Sequence, residues 1–160
     1  MRRTVNALQD ALRAEHAAVY GYGVLGARLR GPLQQTAKTH WDAHRLQRDD
    51  LVARLTGQGA RPEAAAPVYR LPVKVTSART AAELAAALEQ DLVGAYVGLA
   101  GAADPALRSF AAHAMQRAMI RSVRWLSSAG RPLPGEAFPG LPQSALSPKA
   151  APGERVTPGT

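Results

Sequence analysis

At 160 residues the chain is long enough for one domain with a real core, and alanine and aliphatic side chains carry its apolar content, with only 5% aromatic residues. That balance favours closely approaching helices over a sheet. No cysteine is present, which excludes thiolate metal sites, disulfides and thiol catalysis together, while the formal charge of +8 leaves anionic partners open.

Met1-Arg2-Arg3 is not followed by an apolar run, because Asn6, Gln9, Asp10 and Arg13 interrupt it. No signal peptide is read, and no stretch approaches the roughly 18 apolar residues of a membrane span. The expectation is a cytoplasmic, all-α protein.

The first helix is expected over about residues 4–30, with Thr4 or Asn6 as N-cap and Gly31 as its stop. Val5, Leu8, Leu12, Glu15, Val19, Tyr22, Gly26 and Leu29 form a heptad-like seam that must be buried against other helices. Glu15 lies mid-seam, where a lone carboxylate is costly and needs a metal, an arginine or a proton. His16 falls to the edge of that face. Tyr20-Gly21-Tyr22-Gly23 lies within the helix, so its glycines point to close packing, not to a phosphate cradle.

Pro32 suits the first position of a second helix, expected over 32–56 and closed by Gly57 and Gly59. The short connection makes the two an antiparallel hairpin. His44 faces inward. His40 is one turn earlier, but no glutamate follows it, so the metalloprotease pattern is absent and His40 reads as a rim residue. Asp49 and Asp50 read as solvated.

Pro62, Pro67 and Pro72 make residues 60–79 a long crossover. Thr80 and Glu83 form a capping box for a third helix over 80–102. Asp104-Pro105 opens a fourth over 105–128, ended by Gly130 and Pro132. Phe138 and Leu141 are expected to pack back on the bundle, giving a domain over 1–142. Residues 143–160 form a Pro/Gly/Ser-rich tail expected to be disordered.

Two hairpins joined by one long crossover is the connectivity of ferritin-like bundles. An internal repeat agrees with it. Glu15, Val19, Tyr22 and Leu25 match Glu89, Val93, Tyr96 and Leu99, and Trp41, His44, Gln47 and Arg48 match Phe110, His113, Gln116 and Arg117.

The run from Leu8 through Glu15-His16 to Gly23, with His44-Arg45, Val52-Ala53-Arg54-Leu55, Tyr69-Arg70-Leu71-Pro72 and Ala137-Phe138-Pro139-Gly140-Leu141-Pro142, resembles the small ferritin-like domain family of unknown function. The resemblance spans roughly residues 5–142. It implies a ferritin-like four-helix bundle and brings no substrate or reaction with it.

A di-iron ferritin-like centre takes one glutamate from each of two helices and a Glu-x-x-His pair from each of the others. Glu15 and Glu89 fit the single acids, and His44 and His113 fit the histidines. Trp41 and Phe110 stand where the paired carboxylates belong, so an ordinary ferroxidase centre is not expected. Two readings remain. In one, Glu15, His44, Glu89 and His113 bind a single Fe, Mn or Zn ion, and an enzyme built on that site would be a metal-dependent oxidoreductase. Alternatively, Arg48 and Arg117 pair with Glu15 and Glu89 in a buried polar layer completed by Tyr22, Tyr96, Gln47 and Gln116. The second needs no ion and is favoured: a degenerate di-metal site in a non-catalytic structural or interaction protein.

Arg117, Arg121 and Arg124 make a stripe on helix 4, loosely repeated by Arg45, Arg48 and Arg54. Such a stripe suits nucleic-acid phosphates or another anion. No recognition motif accompanies it and few aromatics interleave, so a solvated face is favoured over nucleic acid. Pairing into a homodimer through helix faces is expected by analogy alone. No Gly-x-Ser-x-Gly, P-loop or dinucleotide fingerprint occurs.

Overall fold

Of the expected seam, Leu8, Leu12, Glu15 and Tyr22 are buried along α1 (Arg2–Gly26) and Leu29 just beyond it, while Val5, Val19 and Gly26 are half-buried and Ala18 and Leu25 lie inside. The remaining helices of this computed structural model are α2 (Gly31–Gly57), α3 (Ala78–Ala100) and α4 (Pro105–Ser128), which complete an all-α four-helix bundle. The structure describes residues 2–133. The expectations for Phe138, Leu141, the domain end at 142 and the tail over 143–160 lie outside the described residues.

Helix α1 packs on α2 and on α3, and α3 packs on α4. Three sides of the bundle are closed in this way. Among the described residues α2 and α4 do not pack against each other at backbone range, and only side chains bridge them. Alanines let the closed sides approach: Ala81, Ala82, Ala85 and Ala86 are all buried on α3. The apolar interior falls into two clusters. Leu8, Leu12, Leu51, Leu55 and Leu99 belong to one, and Leu25, Leu29, Leu84, Leu88 and Trp125 to the other.

Helix ends follow local chemistry, with two departures from expectation. Helix α1 stops at Gly26, and the next turn is held by Arg28 N donating to Leu25 O (3.0 Å) and Arg30 Nη1 donating to Leu29 O (2.8 Å). Gly31, at φ +58°, makes the reversal that an L side chain resists, and Pro32 follows within the first turn of α2. At α3 the cap is Ser77, not Thr80: Ser77 Oγ accepts from Thr80 N (3.2 Å) while Thr80 Oγ1 accepts from Ser77 N (2.9 Å). Thr80 thus fills the reciprocal place expected of Glu83, which pairs with Arg79 (3.4 Å) and Arg131 (3.6 Å). Asp104 caps α4 as expected, accepting from Ala106 N at 2.8 Å.

The crossover lies along α1. Gln9 clasps it at both ends of its amide, donating to Arg61 O (2.8 Å) and accepting from Glu63 N (3.1 Å). His16, the expected edge residue, meets Glu63 O at 3.1 Å. Among the described residues no helix is long and apolar enough to cross a membrane.

Of the two helical glycines beside Tyr22, only Gly21 is a packing site. A Cβ there would sit 2.4 Å from Leu88 Cδ1 and 3.4 Å from Leu71 Cδ2, whereas one on Gly23 would meet nothing within 4 Å. Gly21→Val should therefore destabilise by about 1–3 kcal/mol through overpacking. Gly23→Ala should be neutral or stabilising by up to about 1 kcal/mol through helix propensity. Urea unfolding of the two variants checks this, and equal effects would contradict the assignment.

A buried ion triad as candidate functional site

Glu15 on α1 and Glu89 on α3 face each other across the packed α1/α3 side and are almost wholly buried. Seven residues, or two helical turns, beyond each glutamate stands a tyrosine on the same face. The two tyrosines cross over. Tyr22 donates to Glu89 Oε1 at 2.6 Å, and Tyr96 donates to Glu15 Oε1 at 2.7 Å. Burial, and then the charge of the glutamate each one meets, raises both phenols above their ordinary pKa, so both stay protonated and donate.

His44 on α2 enters between the carboxylates. Its Nδ1 lies 2.8 Å from Glu15 Oε2 and its Nε2 3.0 Å from Glu89 Oε1. Burial alone would depress its pKa, but the hydrogen bonds to Glu15 and Glu89 and their charges outweigh burial and raise it to about 9. Near neutral pH both ring nitrogens therefore carry protons, and the centre is a carboxylate–imidazolium–carboxylate triad. Arg121 on α4 stands at its edge, with Nη1 4.0 Å from Glu89 Oε1.

His40, expected at the rim, is buried. Trp125 Nε1 donates to Tyr22 Oη (2.8 Å) and to His40 Nδ1 (3.2 Å). An indole can only donate, so Nδ1 of His40 must be an acceptor and the ring neutral. Burial first, and then the charge of Arg121, lower His40 to about 4, in agreement with that tautomer. One turn apart on a single helix, two histidines are held in opposite charge states.

Of the four residues read as metal ligands, the fold brings together Glu15, His44 and Glu89; His113 lies exposed on α4. Arg48 pairs with Asp49 at 2.7 Å, and Arg54 takes Asp50 at 3.1 Å, so the acidic pair near the end of α2 is ion-paired. Arg117 donates to Gln47 Oε1 at 3.2 Å and touches neither glutamate, while Gln116 is exposed. The arginine stripe thus divides: Arg117 and Arg121 turn to the gap beside α2, and Arg124 stays outside. Trp41 donates to Val19 O at 3.1 Å beneath Arg45, and Phe110 lies under Arg54.

Burial shows why His113 and Gln116 stay outside. On α2 the residues buried inward include Ala37, His40, His44, Leu51 and Leu55; each has a buried counterpart 74 positions on, at Ala111, Ala114, Ala118, Trp125 and Ala129. The same 74 positions separate Glu15 from Glu89 and Tyr22 from Tyr96. Pairing His44 with His113 breaks that register by five residues. Two roles escaped sequence reasoning: the inward turn of Arg121 and the indole of Trp125. Carrying the 74-residue separation on through α4 was the signal that would have set Ala118 opposite His44 and Trp125 opposite Leu51.

With alanines at 114 and 118, a cleft of about 340 Å³ opens between α2 and α4, reaching Glu15, His44 and Glu89 from the side of Arg117 and Arg121. Among the described residues no group of three or more His, Asp or Glu side chains is disposed to hold a metal ion. His44 stands between the carboxylates, in the place where donors would have to converge.

The family described as Domain of unknown function (DUF4439) matches residues 7–143. The crystal structure of a conserved hypothetical protein, rv2844, from Mycobacterium tuberculosis is similar, with 33% sequence identity over 79% of this chain and 97% of that chain and a TM-score of 0.76. No curated protein matches.

The two histidines pull stability in opposite directions with pH. An unfolded histidine titrates near 6.5. Between about 6.5 and 9 folded His44 holds a proton that the unfolded chain releases, so its contribution, full below 6.5, is lost as pH rises through 9. Folded His40 refuses a proton that the unfolded chain accepts, so its contribution, full above 6.5, is lost as pH falls toward 4. Imidazole NMR should place His44 as the late and His40 as the early titration, with thermal stability greatest near neutrality. His44 titrating below pH 7 would contradict the triad.

Proposed function

For this chain, which belongs to the DUF4439 family of domains of unknown function, we propose a metal-independent, non-catalytic role: a ferritin-like bundle whose two-metal centre has given way to a buried imidazolium clamp, and whose open α2/α4 side serves recognition. The observation that carries this reading is His44 spanning Glu15 and Glu89 at 2.8 and 3.0 Å. A bundle that encloses two carboxylates needs a positive charge between them. In ferritin-like metal proteins the ions supply it; here the protonated ring does.

The residues present do not fit a two-metal centre. A doubly protonated imidazole has no lone pair for an ion. Helix α4, which would owe a carboxylate and a histidine, offers Ala114 and Ala118 to the same space. The common 74-residue separation supports descent from a duplicated hairpin in which one half lost its donors. The engagement of the acid–base groups with one another supports the non-catalytic reading: His44 meets both acids, and Tyr22 and Tyr96 one each. The side left for recognition is the unpacked one, where Leu46 is 72% exposed at the cleft edge.

His44→Gln should leave two buried carboxylates with no cation between them and cost about 3–5 kcal/mol. Urea unfolding near pH 6.5 measures it; a loss below about 1 kcal/mol would mean the clamp is not the organising charge. Elemental analysis of protein from metal-replete cells should find only substoichiometric iron, manganese and zinc. A stoichiometric ion that disappears in a Glu15→Ala/Glu89→Ala variant would overturn the metal-independent reading.

A further inference from the structure

We propose that the α2/α4 cleft is a binding site for a free α-amino acid with an aliphatic side chain. Glu89 provides the floor. It is wholly buried, and its Oε1 already accepts from Tyr22 and faces His44 Nε2, but its Oε2 has no partner. A buried carboxylate oxygen left bare calls for a donor, and beside a full negative charge an ammonium is the strongest one. Gln47 provides a second unanswered group. Its Oε1 accepts from Arg117, which turns the buried Nε2 toward the Tyr96 phenol, with no partner at hydrogen-bond distance.

Charge selects the rest of the ligand. Glu15 and Glu89 stand against the His44 imidazolium and the guanidiniums of Arg121 and Arg117, a net of one positive charge around the cleft. A carboxylate is drawn to the two guanidiniums and to Gln47 Nε2, but alone it leaves Glu89 Oε2 bare. An amine alone satisfies Glu89 and leaves the guanidiniums unanswered. A zwitterion meets both. Between the polar groups lie Leu92, Ala114 and Ala118, an apolar wall suited to an aliphatic side chain. A volume of about 340 Å³ is at the small end of ligand pockets, which suits an amino acid better than a nucleotide or a peptide.

This assignment rests on the metal-free reading of the centre, because an ion on Glu89 would take the oxygen offered to the ammonium. The test is an NMR titration of amide resonances of the full chain, dialysed against EDTA, with metal content measured on the same sample. L-Leucine should shift the amides of residues 43–47 and 114–121 saturably. Isopentylamine and 4-methylpentanoate, each lacking one charged group, should bind at least about tenfold more weakly, the effect of one lost charge-assisted hydrogen bond. Arg117→Ala should weaken leucine by a similar factor, and urea unfolding of the same variant should show the protein still folded under the titration conditions. Absence of saturable shifts at tens of millimolar leucine, equal binding of the two analogues and leucine, or unchanged binding by Arg117→Ala would each overturn the proposal. Failure on metal-free protein sinks the ligand alone; a retained stoichiometric ion sinks the premise and the ligand with it.

Discussion

Two carboxylates enclosed in one apolar interior repel each other and are starved of water, and the bundle is arranged around answering that cost. Desolvating an ion costs several kcal/mol, and its partner recovers this only when the geometry is good and the remaining lone pairs are occupied. Here one imidazolium reaches both acids through its two ring nitrogens, and a phenol occupies a further lone pair on each. The triad draws one member from each of α1, α2 and α3, so these helices cannot slide past one another without breaking it. The two apolar clusters flank this layer and confine its approach to water to the side of the α2/α4 cleft.

Helix α4 joins the layer differently. It offers no acid–base group to the triad itself and acts through Arg121 and Trp125. Trp125 determines the state of His40: a donor-only indole leaves that ring no room for a proton on Nδ1, and Arg121 discourages any positive charge there. Were His40 charged, two cations one turn apart would compete for Glu89. The neutral His40 keeps the acidic pair for His44.

Much of this was legible in the sequence. An acid in the middle of the α1 seam announced that it would need company, and the repeated spacing of Glu and Tyr between the first and third helices located Glu89 and Tyr96. The α1–α2 and α3–α4 hairpins and the proline-marked crossover could be read from turn chemistry. The second helix of each hairpin was harder. Helix α4 buries alanines, whose small apolar surface gives a weak period, so the polar match of His113 to His44 outweighed a register that burial places five residues further on. Arg48 and Arg117 illustrate a related difficulty. Long side chains reach several partners from one backbone position, and Asp49 and Gln47 are nearer than the buried acids. For His40, adjacency to His44 was visible, but the indole that buries and neutralises it comes from 85 residues away.

Ala114 and Ala118 connect the clamp to the cleft. A metal-binding bundle of this connectivity needs donors from all four helices. Once one helix presents methyl groups instead, an ion loses its coordination, yet the acids on α1 and α3 still require a positive charge. A protonated His44 meets that requirement from α2 alone. The same small side chains hold nothing against α2, so the bundle stays open on that side, and the cleft is lined in part by Glu89, whose buried Oε2 the clamp does not use. On the proposed reading, the lack of metal donors on α4 and the open polar cleft both trace to the small side chains of Ala114 and Ala118.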